Sequence, residues 1–250
     1  MNKIYGLIGC PLGHSFSAEY FNNKFLSENI DAEYINFELK DLKELKYVLH
    51  ENPRLCGLNV TLPYKMAVIP LLDSITDNAR AIGAVNVIKF KRGGRLPKLH
   101  LEGHNSDITG FKQSIEPLLN EMHKKALILG TGGASKAVFH GLKQLNLDPI
   151  YVTRTPETVG ITYNEITPEI IEDFTVIINA TPLGMYPKTD TCPDIPYHFL
   201  TPRHLLYDLI YNPDETLFMK KGKTAGAVVK NGLEMLLLQA FISWEIWESS

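Results

Sequence analysis

Cysteine is scarce in this 250-residue chain: there are three, Cys10, Cys56 and Cys192, odd in number and without paired spacing. That argues against a disulfide framework and a zinc knuckle, and reads as free thiols in a reducing compartment, with the cytoplasm as the expected location. Long apolar runs are missing as well. The short run before Gly9 is too brief for the core of a signal peptide or for a membrane span. Nor is there an excess of one charge: 25 Lys and Arg stand against 28 Asp and Glu, a net charge of -3. Neither nucleic acid nor an acidic membrane surface is therefore expected as a partner, and anionic small molecules must be recognised locally. The eight histidines show no pair at ligand spacing on a helix face, so no metal is expected. His14 and His104 read as hydrogen-bonding within loops.

What is present centres on Lys124 to Phe139. An apolar run from Ala126 to Leu129 reads as a buried strand, broken at Gly130 by a loop with further glycines at 132 and 133. A helical pattern resumes at Ala134. Gly130 permits a tight turn, Gly132 lets backbone amides approach a pyrophosphate, and a helix starting near Gly133 points its positive end at the phosphates. Ser135 takes the place of the usual third small residue. A tight strand-to-helix turn would need glycine in any case, so the loop is read together with the next strand, Pro149 to Val152. An NAD site would place an acid at the end of that strand, whereas the chain reads Thr153-Arg154-Thr155. An arginine flanked by hydroxyls suits the extra phosphate of NADP.

The remaining chain alternates strands and helices. Strands are expected over Lys3 to Gly9, Ala32 to Glu38 and Leu55 to Val60, with helices over Ala18 to Asn29 and Asp41 to Glu51. A hairpin starting in Gly83 to Ile88 turns at Gly93-Gly94 and ends in the polar cluster Gly103-His104-Asn105-Ser106-Asp107. Later strands are expected over Phe174 to Ala180, Leu205 to Leu209 and Ala225 to Val229. A helix covers Glu215 to Lys221, and a long apolar one runs from Asn231 to Trp247. This rhythm implies α/β architecture with a mostly parallel sheet, and a domain boundary near Asp107.

In order and spacing, Gly9-Cys10-Pro11 with His14-Ser15-Phe16-Ser17, Asn59-Val60-Thr61-Leu62-Pro63-Tyr64-Lys65, Gly83-Ala84-Val85-Asn86, the Gly103 to Asp107 cluster, the glycine loop, Asn179 to Met185, Tyr207 to Pro213, and Asn231-Gly232 with Gln239-Ala240 closely resemble the shikimate dehydrogenase family. The resemblance implies reversible reduction of 3-dehydroshikimate to shikimate with NADP(H), in aromatic amino acid biosynthesis. It also implies two α/β domains: a mostly parallel-sheet substrate domain from residues 1–106 plus 231–250, and a Rossmann-like NADP-binding domain over 107–230, with the active site in a cleft. Carried over position by position, Lys65 and its partner Asp107 are the catalytic pair. Ser15 and Ser17 hold the substrate carboxylate, and Thr61, Asn86 and Gln239 bind ring hydroxyls. The cofactor falls to Gly130, Thr131, Gly132, Gly133, Ala134, Thr153, Arg154, Thr155, Thr181 and Met185. From the residues alone, Ser15 and Ser17 are equally helix caps, Lys65 a surface lysine and Asp107 a helix cap.

The chemistry explains the pairing. Reducing a ketone brings a hydride to carbon and a proton to oxygen, so an ammonium that holds the oxygen relieves its growing charge, and a carboxylate orients the ammonium. Three departures from the family pattern stand out. Pro156-Glu157-Thr158 offers no second basic residue after Arg154, the loop carries Thr131 and Ser135 where alanine is frequent, and Glu234 replaces a small residue. Two alternatives accompany the main reading: a quinate/shikimate dehydrogenase of broader specificity, and a non-catalytic NADP-binding regulator. The Ser15 and Ser17 pair favours shikimate over quinate. A small molecule is the expected partner, for a monomer or a homodimer.

Overall fold

A computed structural model describes residues 2–12, 16–93, 96–155 and 160–249. The chain divides into two units, residues 1–106 with 240–250 and residues 107–239. The division between Ser106 and Asp107 falls within the polar cluster noted above. The return to the first unit comes at Ala240 and not at Asn231, because Met235 is buried among Phe111, Ile115 and Tyr207 of the second unit.

Among the described residues, the first unit carries β1 (Lys3–Gly9), α1 (Phe16–Ser27), β2 (Ala32–Glu38), α2 (Leu45–Glu51) behind a 3-10 turn, β3 (Leu55–Val60), α3 (Tyr64–Ala67), β4 (Ser74–Ile75), α4 (Asp77–Ile82), β5 (Val87–Gly93) and β6 (Leu96–His104). Its six strands lie in the order β2-β1-β3-β5-β6-β4. β1 runs parallel to β2 and β3, and the β5/β6 hairpin adds antiparallel pairs. Alternation along β1 explains the two cores. Ile4 and Ile8 face one side, with Leu58 and Val85, while Tyr5 and Leu7 face the other, with Phe21, Phe25 and Trp247. His104 ends β6, where its Nε2 meets the Glu102 carboxylate at 3.0 Å, and so is a strand residue and not a loop residue.

The second unit follows the doubly wound pattern. It holds α5 (Asp107–Ile115), β7 (Lys125–Leu129), α6 (Gly133–Gln144), β8 (Asp148–Thr153), β9 (Ile161–Thr162), α7 (Pro168–Asp173), β10 (Val176–Asn179), β11 (Leu205–Asp208), α8 (Leu217–Thr224), β12 (Val228–Lys230) and most of α9's first half, α9 being Leu233–Glu248. The sheet is parallel throughout, in the order β12-β11-β10-β7-β8-β9. Because both faces are covered by helices, its central strands are apolar along their middles on both sides, with polar residues such as Asn179 and Asp208 at their ends. Leu127, Leu129, Ile177 and Leu206 face Ile171 and Phe218. Ala126, Ile128, Ile178 and Tyr207 face Phe111, Val138 and Leu142. Strand order reverses between β7 and β10, which opens a crevice at their carboxyl ends. Among the described residues no helix is long and apolar enough to cross a membrane.

Candidate functional site

The glycine turn sits at that reversal. Gly130 follows β7 in the left-handed region, φ +102°, and its N–H donates to the Val152 carbonyl at 2.9 Å. On its other side Ala180 donates to the Leu129 carbonyl at 3.0 Å, so the ends of β8 and β10 flank it. α6 then begins with no side chain capping its first turn, and a Cβ built on Gly132 would meet nothing within 4 Å. Uncapped amides at a helix start, beneath an open approach, are a cradle for an anion. Ser135 is fully buried and closes the turn from below, its Oγ donating to the Gly132 carbonyl at 2.6 Å. Thr131 is exposed, and Gly133 and Ala134 are half-buried.

At the end of β8, Thr153 Oγ1 accepts from the Thr155 N–H at 3.4 Å, and Arg154 between them is exposed. Pro156 to Val159 and the departure noted there lie outside the described residues. Beyond β10, Thr181 is pinned twice by Asn179: its N–H and its hydroxyl donate to Asn179 Oδ1 at 3.0 and 2.6 Å. Thr181 Oγ1 in turn accepts from the Leu183 N–H at 3.2 Å. Met185 is exposed and closes a turn by donating to the Pro182 carbonyl. The residues expected to hold NADP thus gather at the carboxyl ends of three neighbouring parallel strands, β7, β8 and β10. They fit the group, offering uncapped amides for phosphate and an exposed guanidinium, flanked by two threonines, for a further phosphate.

In the first unit, Thr61 and Lys65 share the turn after β3. Thr61 donates its N–H to the Ile8 carbonyl and accepts from the Tyr64 N–H, both at 2.9 Å. Tyr64 is buried and its hydroxyl donates to the Leu39 carbonyl at 2.6 Å, while the Lys65 carbonyl accepts from Val85 at 2.8 Å. This ties both sides of a helix four residues long, which leaves Lys65 half-buried. Asn86 is buried just before β5, with Oδ1 accepting from the Ser106 N–H at 2.7 Å and Nδ2 donating to Ser106 Oγ at 2.9 Å. Ser17, half-buried in α1, hydrogen-bonds the Tyr34 hydroxyl. Tyr34 donates onward to Asn59 Oδ1 at 2.8 Å, and Asn59 Nδ2 donates to Ser243 Oγ at 2.9 Å. Burial holds the Tyr34 phenol well above its ordinary pKa, so it stays a donor. This chain of amides and hydroxyls joins Ser17 to the neighbourhood of Asn86. It was invisible in the sequence, where Asn59 and Ser243 stand far apart. Ser15 lies outside the described residues.

Asp107 is buried and opens α5, and Gln239 is the last residue of the second unit. Gln239 Nε2 donates to the Leu236 carbonyl at 3.1 Å, and its backbone N lies 3.1 Å from where a side chain on Gly110 would begin, so α5 and α9 touch there. Glu234 is exposed and pairs with Lys230. Sequence reasoning gave no role to one buried carboxylate. Asp208, at the end of β11, accepts from Asn179 Nδ2 at 3.0 Å, from the Ile210 N–H at 3.0 Å and from Thr216 Oγ1 at 2.6 Å. Burial raises its pKa to about 6 against those three bonds.

Comparison with known proteins places the chain as a whole. Residues 7–88 match the family model of the shikimate dehydrogenase substrate binding domain. The chain is 36% identical to the shikimate dehydrogenase (NADP(+)) of Methanosphaera stadtmanae, an alignment covering 98% of this chain and 90% of that one. The crystal structure of shikimate dehydrogenase from Aquifex aeolicus superimposes with a TM-score of 0.86 at 34% identity, covering 99% of this chain and 92% of that one. The Thermus thermophilus enzyme, solved with NADP(H) and shikimate, gives 0.85 at 27% identity, covering 98% and 93%. By full-length similarity at this level, the chain belongs to the shikimate dehydrogenase family.

Proposed function

We propose that the chain catalyses the reversible NADPH-dependent reduction of 3-dehydroshikimate to shikimate, in the route to chorismate and the aromatic amino acids. The observation that carries this reading is the alignment of 98% of the chain with an NADP-dependent shikimate dehydrogenase. The glycine turn before the uncapped start of α6 supports the cofactor half of it. When bound, NADPH supplies the hydride. The α6 amides hold its pyrophosphate, and Arg154, with Thr153 and Thr155, takes the extra phosphate. Ser17 and Ser15 hold the substrate carboxylate, while Thr61, Asn86 and Gln239 orient its hydroxyls. Lys65 holds the carbonyl oxygen and stabilises the charge that grows there, and Asp107 orients the ammonium. The first unit is the substrate domain and the second the dinucleotide domain.

A spectrophotometric comparison of NADP+ and NAD+ against shikimate and quinate tests the reading. Turnover is expected with shikimate and NADP+ above all other pairings. Comparable turnover of quinate with NAD+ would point to the broader enzyme, and NADPH binding with no turnover to the regulator.

A further inference from the structure

The buried carboxylate of Asp208 has no part in the chemistry above, yet it governs a group that does. Asn179 can present its amide in either of two orientations, oxygen or nitrogen towards Thr181. Thr181 offers two donors to that point, its N–H and its hydroxyl, so only the oxygen satisfies both. What selects the orientation is the other end of the amide. There Asn179 Nδ2 meets Asp208 Oδ1 at 3.0 Å and the Leu183 carbonyl at 3.2 Å, both acceptors. Asp208 is itself held in place by Ile210 and by Thr216, the residue that caps α8. Asn179, Asp208, Ile210 and Thr216 are buried and Thr181 is half-buried, so no water shell is at hand there to replace a lost partner.

We propose that Asp208 is a positioning residue for the cofactor: through the Asn179 amide it holds Thr181 against the Gly130 turn. The proposal rests on the reading of that turn as the dinucleotide site. The requirement is an acceptor at the position of Oδ1, not a negative charge. An asparagine at 208 keeps that oxygen and turns its nitrogen towards Thr216, whose hydroxyl rotates to accept. An alanine removes the nearer of the two acceptors at Nδ2 and leaves the Leu183 carbonyl alone at 3.2 Å, which loosens the hold on the orientation that sets oxygen against the two Thr181 donors.

The test is NADPH affinity of the full chain by fluorescence titration, with steady-state kinetics beside it. For Asp208→Ala the Kd and KM for NADPH are expected to rise at least about tenfold, with kcat and the KM for 3-dehydroshikimate within about twofold of wild type. Asp208→Asn is expected to bind NADPH like wild type. In a Thr181→Val background, Asp208→Ala is expected to cost less than in the wild type, since the hydroxyl half of the path it acts through is already cut and only the backbone N–H remains on Asn179 Oδ1. Should Asp208→Ala not fold, Asn179→Asp keeps the oxygen facing Thr181 but sets a second carboxylate on Asp208. It should lose affinity, and regain part of it when combined with Asp208→Asn. Unchanged affinity in a folded Asp208→Ala protein, equal damage from Asp208→Asn, or no recovery in the combined variant would overturn the proposal. Wild-type protein that does not bind NADPH would instead overturn the cofactor reading beneath it.

Discussion

The methyl of Thr181 lies 3.0 Å from the point where a side chain on Gly130 would begin. The turn after β7 and the turn after β10 are therefore in contact, and Gly130 is doubly constrained, by this neighbour and by its φ of +102°. Gly130→Ala is expected to cost on the order of 1–3 kcal/mol in stability through backbone strain alone. Its NADPH affinity should fall as well, because the strand end that shapes the α6 cradle must shift. Urea titration with and without NADPH checks both, and a variant as stable and as tightly binding as wild type would contradict this geometry.

Lys65 is held on a four-residue helix by Tyr64 beneath it and by Val85 at its carbonyl. Replacing only the ammonium should leave that scaffold standing. Lys65→Met is expected to lower kcat by roughly a hundredfold to ten-thousandfold, the range of a positioned proton-transfer group, with NADPH affinity little changed. Loss of cofactor binding in step with kcat would place Lys65 elsewhere in the reaction.

Arg154 is exposed at the end of β8. Its charge costs little to keep in water and is free to meet a phosphate. Arg154→Ala is expected to raise the KM for NADP+ by about ten- to a hundredfold, the worth of a charge-assisted contact, and to leave the KM for NAD+ nearly unmoved. Equal effects on both cofactors would separate Arg154 from the extra phosphate.

Much of this was legible in the residues and some was not, for physical reasons. β1 announces itself as an apolar run closed by turn residues and β2 as an alternation, and the glycine turn marks where β7 meets α6. The two-residue strands β4 and β9 carry no periodicity to detect. α7 was missed although its start is written plainly: Thr167 caps Ile170, Pro168 follows in the first turn, and Glu169 favours the helix's positive end. α4 likewise opens on Thr76 and ends at Gly83, φ +69°. What no local pattern contains is a pairing at long range. Asn179 and Asp208 read simply as strand ends until β10 and β11 lie side by side, and Asn59 meets Ser243 only when the last helix returns to the first unit.

Asp208 also leaves a mark on stability. Its folded-state pKa is raised from the ordinary 3.8 to about 6, so the fold favours its neutral form. The stability this contributes is fully present below the unfolded value and is lost as pH rises through about 6, a swing on the order of 3 kcal/mol. Other carboxylates titrate in the opposite sense, Asp148 and Glu165 among them, both held below their usual range by hydrogen bonds. The clean measurement is thus a difference: urea midpoints of wild type and Asp208→Asn between about pH 4 and 7. The wild type should lose ground to the variant as pH rises. Parallel curves would show that Asp208 titrates normally.

The first unit closes on Trp247. Its indole N–H donates to the Ile88 carbonyl at 3.1 Å, its ring stacks on Tyr5 with centroids 4.8 Å apart, and its five-membered ring occupies the space over Gly57 that a side chain would need. Gly57→Ala is therefore expected to overpack this core by roughly 1–3 kcal/mol. Trp247→Phe should also destabilise, by losing the indole hydrogen bond and part of the packed volume. The smaller ring leaves room for the alanine methyl, so the double variant is expected to lose clearly less than the sum of the two single losses. Thermal or urea unfolding of the four proteins measures the coupling. Strict additivity would mean that Trp247 does not sit over Gly57, and that α9 reaches the first sheet by some other contact.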